Sequence, residues 1–428
     1  MIYFNNLVRD LKKKISVFIL DSITANCNRK TKKFVLNLFW GILSSNSAKI
    51  SDIARTLHGT KAKINENRLT INLTNIDLSI IKKNYFNYVF RNLSKLYPYI
   101  IVDETDVTKP FGKAFEGLSI IRDGSDSQKK KEKGWPVSGI ITLTDSNYVV
   151  PLSLNIYSPI LKKHKSIYEE TRKNLDTIFP YITYGNYSTI IFDRGYDSQR
   201  YLNYIKNKGY YYIIRAKDNR KYLYNNKKLT IKNISKLIKG KYDFSYVNKK
   251  GDKIFVKATP LKAFHKDIKG SFTLLFEYIN NETEPRVYIT NLNCNGKKEI
   301  ENVLKGYRYR WRIEEYYRFV KQVLGMEKFM IRKIDAINNL YICMMLVTSF
   351  MTEIIQENGL LYRKIIEVYQ PLNDLKKEEE IEKKYGYYGL KLYRVARGIK
   401  TILGLKKEQI AIPGRIRKKK KEEPITLF

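Results

Sequence analysis

The chain has 428 residues, 43% apolar and 13% aromatic, and carries 80 Lys and Arg against 42 Asp and Glu, a formal net charge of +38. That much apolar material excludes a disordered basic protein and suffices for two or three packed domains. A cation excess spread along most of the chain points to a polyanionic partner, nucleic acid first, although a general bias toward Lys, Asn, Ile and Tyr contributes to it.

Cys27, Cys294 and Cys343 are too scattered for a disulfide framework or a zinc site, and His58, His164 and His265 for a histidine-based centre. The N-terminal MIYFNNLVRDLKKK has charges where a signal peptide needs an apolar run. The longest apolar stretch, Leu340 to Met351, reads as too short to span a bilayer. These features lead us to expect a cytoplasmic protein with no membrane partner.

Residues 1–95 read as a helical N-terminal domain, in which Phe34, Leu38, Ile42 and Leu43 recur at helical spacing. In SAKISDIARTLHG, Ser51 is placed to cap a short helix that Gly59 ends, with Lys61, Lys63 and Arg68 following. This outline is that of a helix-turn-helix, so DNA contact is expected here. YIIVDET is an apolar run ending in acids, as in a buried strand. GWPVSGIITLTD and NYVVPLSLNIYS read as two strands joined at Asp145-Ser146-Asn147, and HKSIYEETRKNLDTIF as a helix. STIIFDRGYDS repeats the strand-then-acid pattern, followed by a helix from Ser198 and the strand YYYIIRA. The order is that of an RNase H-like α/β core, in two parts at 96–217 and 286–352. A β-rich insertion at 218–285 separates them, and a helical region with the basic tail RIRKKKKEE fills 353–428.

YRYRWRIEEYYRFVK, from Tyr307 to Lys321, has no Pro or Gly and reads as one helix. On it Tyr307, Arg310, Glu314 and Lys321 share a stripe roughly 60° wide, with Ile313, Tyr317, Val320 and Leu324 on the adjoining apolar sector. A carboxylate among cations suits metal-assisted phosphate chemistry, although a merely solvated amphipathic helix shows similar charge spacing. Such chemistry needs carboxylates converging on ions roughly 3.5–4 Å apart. Asp103 in the first core strand, Asp193 after the fourth and Glu314 on the helix would each bring one. Glu104 and Asp106 compete with Asp103, and Glu315 with Glu314.

The spacing Tyr307-x2-Arg310-x3-Glu314-x6-Lys321 resembles the YREK signature of bacterial insertion-sequence transposases of the DDE class. Asp103-Glu104-Thr105 and Asp193-Arg194-Gly195-Tyr196 likewise resemble the motifs around their first and second aspartates. The resemblance implies that Asp103, Asp193 and Glu314 are catalytic and bind two Mg²⁺ ions, with Mn²⁺ able to substitute. Tyr307, Arg310 and Lys321 would contact the DNA backbone near the element's end. The partners would be double-stranded DNA, as transposon ends and target, and a second copy of the chain in a homodimeric synaptic complex. The implied activity is cut-and-paste transposition in a bacterial cytoplasm, at the nucleoid. Alternatives are an RNase H-like nuclease without strand transfer and a domesticated DNA-binding protein without chemistry. The sequence departs from relatives that hold a flipped base with a Trp in the insertion, since its tryptophans are Trp40, Trp135 and Trp311.

Overall fold

The computed structural model describes residues 2–93, 99–122, 131–182, 188–225, 227–247, 252–265, 267–280, 282–369 and 375–404. Helices α1 (Ile2–Ser16), α2 (Arg29–Ser45), α3 (Ile50–Thr56), α4 (Ala62–Asn75) and α5 (Ser79–Tyr88) come first. They lead into β1 (Tyr99–Thr108), β2 (Ser119–Arg122), β3 (Lys131–Leu143), β4 (Val149–Ile156), α6 (Ile167–Ile178), β5 (Thr189–Phe192), α7 (Gln199–Asn207) and β6 (Tyr211–Arg215). Then follow β7 (Lys221–Tyr224), β8 (Lys227–Thr230), α8 (Ile231–Ser235), β9 (Tyr242–Val247), β10 (Lys253–His265), β11 (Ile268–Ile279) and β12 (Arg286–Thr290). The remainder is helical: α9 (Lys297–Arg308), α10 (Trp311–Gln322), α11 (Ile334–Glu357), α12 (Leu360–Tyr369) and α13 (Leu375–Gly404). The basic tail RIRKKKKEE lies outside the described residues.

Contacts divide the chain into two units, one comprising Met1–Lys95, Glu104–Ile182 and Arg312–Phe428, the other Leu96–Asp103 and Thr183–Trp311. The first unit is built around α11. Length and composition alone would let this helix cross a membrane, more than Leu340 to Met351 suggests by itself, but 83% of its apolar window is buried in the protein. It is a core helix. Thr352 Oγ1 donates to Val149 O at 2.7 Å, and Asn338 exchanges two bonds with Ile156, so α11 lies on β4 through backbone groups that the strand leaves over. On another side Phe350 meets the rings of Phe18 and Phe39 at 5.4 Å each. Each fully buried Leu, Ile or Phe here is worth about 1.5–3 kcal/mol, and this is what holds the N-terminal helices to the core.

Local signals in this unit mostly act as read. Ser166 caps α6 by accepting from Glu169 N, and Asn147 takes the left-handed conformation (φ +60°) in the β3–β4 turn. α3 is an exception. Its N-cap is Lys49, and Ser47 rather than Ser51 makes the local bonds, accepting from Lys49 N and donating to Asp52. Starting two residues earlier makes Ile50 the first helical residue, in the core at 5% exposure. β2 was not foreseen; it pairs antiparallel with β3, which also pairs with β4.

In the second unit β1, β5 and β6 are parallel neighbours, with α7 carrying the crossover from β5 to β6. All four residues of β5 are buried, which accounts for its unbroken apolar run. β12 joins β6 antiparallel, and β11, β10 and β9 follow as an antiparallel meander. β7 to β11 and the short α8 thus fall within residues 218–285. The class is mixed α/β with a large mixed sheet and many helices, consistent with an RNase H-like core.

Candidate active site

The helix expected from Tyr307 to Lys321 is two helices. Tyr309 N bonds to Gly306 O and Arg310 N to Tyr307 O, an i to i+3 turn that ends α9 before α10 begins at Trp311. Gly306 lets α9 approach the sheet: an added Cβ would sit 3.0 Å from Ile213 and 3.1 Å from Tyr99. Tyr307 thus closes α9, Arg310 stands in the turn, and Glu314 and Lys321 lie in the first and last turns of α10. The four therefore do not lie on one uninterrupted helix, and in the turn Arg310 reaches two carboxylates.

Those carboxylates are set by strand register. Val102 stands opposite Phe192 in the parallel β1–β5 pair, so the next residue of each strand is an acid, Asp103 and Asp193. Neighbouring strands are about 4.8 Å apart, close enough for two carboxylates to repel. Arg310 relieves this. Its Nη1 donates to Asp103 Oδ2 at 2.8 Å and its Nε lies 3.9 Å from Asp193 Oδ1. Asp103 is nearly enclosed, its side chain 16% exposed, whereas Asp193 is 43% exposed and open to a ligand. Asp193 makes no capping bond; Ser198 caps α7 instead. Asp197 anchors the turn, accepting from Lys217 N at 2.8 Å and pairing with Arg220 at 2.9 Å. Burial pushes the Asp197 carboxyl above its ordinary value, and Arg220 opposes that shift.

Tyr307 completes this group. Its hydroxyl donates to Asp193 Oδ1 at 3.4 Å, and burial raises its pKa, so it stays protonated and a donor. Its ring packs on Tyr288 at 4.6 Å between centroids. The Tyr288 hydroxyl donates to Glu277 Oε2 at 2.5 Å, and Glu277 also accepts from Arg308 at 3.2 Å. Arg308 in turn lies 3.7 Å over the Tyr246 ring. A connected path therefore runs from the insertion strands to Asp193.

In the first unit, Glu314 is half-buried in the opening turn of α10, where a carboxylate is favoured by the helix dipole. Glu315 is 3% exposed, accepts from Arg312 Nη1 at 2.7 Å and abuts Gly386, whose φ is +81°. That is a structural acid. Lys321 Nζ donates to Asp106 Oδ1 at 2.7 Å and lies 3.6 Å from Glu327. Asp106 is thus held by a lysine, and Glu104 is exposed. Lys109 supports the loop after α10, donating to the carbonyls of Glu327 and Phe329, and burial lowers its pKa to about 8.

The transposase DDE domain family model matches residues 94–349, more than half of the chain and the span that holds all of these residues. The chain belongs to the transposase DDE domain family. No curated protein matches it. As a DDE transposase it acts on DNA, and its family generally uses divalent metal ions. The paired carboxylates of Asp103 and Asp193 are of a donor type that fits such an ion. Asp103 and Asp193 are hard oxygen donors, the type that Mg²⁺ and Mn²⁺ prefer, and one guanidinium offsets only half of their charge. Among the described residues no three His, Cys, Asp or Glu side chains form a group that could hold a metal.

Of the six residues singled out from the transposase motifs, Asp103, Asp193, Tyr307 and Arg310 come together in one unit, while Glu314 and Lys321 belong to the other. Glu277 and Tyr288 escaped the sequence reading. The signal was there: a lone acid inside LLFEYI, an apolar strand, must be paired if it is buried.

Proposed function

We propose that the protein is the transposase of a bacterial insertion sequence, which binds the element's ends and catalyses DNA cleavage and strand transfer. The observation that carries this reading is the register that seats Asp103 and Asp193 side by side under Arg310. Asp103, Asp193 and Glu314 would hold two Mg²⁺ ions, with Mn²⁺ as substitute; the assignment of Glu314 rests on the sequence motif. When bound, such ions supply Lewis-acid stabilisation of the pentavalent phosphate and a stronger oxygen nucleophile. The chain's own residues do the rest. Arg310 offsets part of the carboxylates' charge before loading and sits where it can attract a phosphate. Tyr307, held on Tyr288, donates toward Asp193 and orients it. Lys321 exchanges Asp106 for a backbone phosphate. The N-terminal helices read the ends, two copies pair them, and the work is done at the nucleoid in the cytoplasm.

The test is Glu314→Gln, which keeps shape and removes charge. DNA binding should persist and Mg²⁺-dependent cleavage should vanish. Cleavage at the wild-type rate would remove Glu314 from the site.

A further inference from the structure

α2 and α4, both in the first unit, line a cavity of about 600 Å³, within the range of roughly 300–1,000 Å³ typical of ligand sites. Its chemistry is graded. At one end α2 begins Arg29-Lys30-Thr31-Lys32-Lys33 after its N-cap Asn28, which accepts from Thr31 N, and its first turn has no acid. Cations at a helix N-terminus add to the positive end of the dipole, so this capped but acid-free turn attracts an anion. Lys30 and Lys33 line the cavity there, and Arg68 of α4 joins them, steadied by Asn65 Oδ1 at 2.9 Å. Deeper in, Asn37 lines the cavity at 2% exposure, and its Oδ1 has no hydrogen-bond partner among the described residues. A buried amide oxygen left without a donor is costly, so Asn37 is an acceptor waiting for a donor from a ligand. Asn72 of α4 adds a second amide, and Phe34 and Leu69 give the wall apolar surface.

A basic rim, a buried acceptor and apolar side chains in one cavity match the parts of a nucleotide. We propose that this cavity holds one nucleotide of a DNA strand, its phosphate against Lys30, Lys33 and Arg68 and its base edge toward Asn37. The proposal rests on the reading of the chain as a DNA-acting protein and adds where, and through which groups, the N-terminal helices engage the strand. Because Asn37 Oδ1 accepts, the favoured base carries an exocyclic amino group, as adenine and cytosine do.

The test measures binding of the full chain, at several salt concentrations, to dA-rich and dT-rich oligonucleotides and to free dAMP. Lys30→Ala with Lys33→Ala, both on the surface, should weaken oligonucleotide binding about tenfold or more and reduce the salt slope by about two. Asn37→Leu should abolish the preference for dA-rich over dT-rich strands. The surface pair keeps the proposal testable if Asn37→Leu does not fold. Unchanged affinity and slope in the lysine variant, with wild type still binding DNA, would overturn the nucleotide site and leave the transposase reading standing. Equal, lysine-dependent binding of free dAMP would overturn the strand as the source. No DNA binding by the wild type would overturn both.

Discussion

The guanidinium of Arg310 is bonded to Asp103 at 2.8 Å, with both side chains largely enclosed at 12% and 16% exposure. A cation thus already sits between the Asp103 and Asp193 carboxylates, and the cluster is held in shape by the chain's own charge. Removing it leaves two neighbouring carboxylates uncompensated. Arg310→Ala should lower unfolding stability by about 1–3 kcal/mol in urea titrations. Added Mn²⁺ should raise the melting temperature of the variant more than that of the wild type. An unchanged midpoint with no gain from Mn²⁺ would contradict this account of the pair.

Tyr307 separates ring from hydroxyl. Tyr307→Phe keeps the packing on Tyr288 and loses only a long bond to Asp193, so stability should change by no more than about 1 kcal/mol. Cleavage, which needs Asp193 oriented, should slow measurably in single-turnover kinetics. Tyr307→Ala should cost about 3–5 kcal/mol by leaving a cavity.

Glu277 tests the path from the insertion. Glu277→Ala leaves the buried Tyr288 hydroxyl without its acceptor and Arg308, which is 30% exposed, without its carboxylate, a loss of about 1–3 kcal/mol by chemical denaturation. Tyr288→Phe in the same background should restore part of it, because one stranded group is removed. Additive effects of the two changes would show that they are not coupled.

Lys109 gives a pH signature. Its folded value, about 8, lies below its ordinary 10.5, so the folded chain holds this proton less tightly than the unfolded chain does. The penalty for its buried charge is fully present below pH 8 and is relieved as pH rises from about 8 toward 10.5. The melting temperature of the wild type should therefore climb relative to Lys109→Met across that window. A flat difference between the two would mean that Lys109 is not desolvated.

Much of this was legible in the sequence because it is local. The strand-then-acid patterns, the helix starting at Ser198 and the turn at Asp145-Ser146-Asn147 depend on residues close in the chain. The match of Asp103 with Asp193 was foreseen as convergence, but not as a register between adjacent strands. The break between α9 and α10 was not legible, since residue offsets describe an ideal helix and carry no trace of the carboxylates that draw Arg310 aside. For the same reason the partners of Lys321 and of Glu277 were hidden: Asp106 lies far along the chain from Lys321, and Tyr288 on a different strand from Glu277.

The most direct measurement is a strand-transfer assay with Mg²⁺, DNA bearing the element's own flanking ends and a supercoiled target. The account predicts joined products that disappear without Mg²⁺ and in each of Asp103→Asn, Asp193→Asn and Glu314→Gln. Cleavage without joining would make the protein a nuclease, and DNA binding with neither would make it a catalytically idle relative; either result would contradict the account.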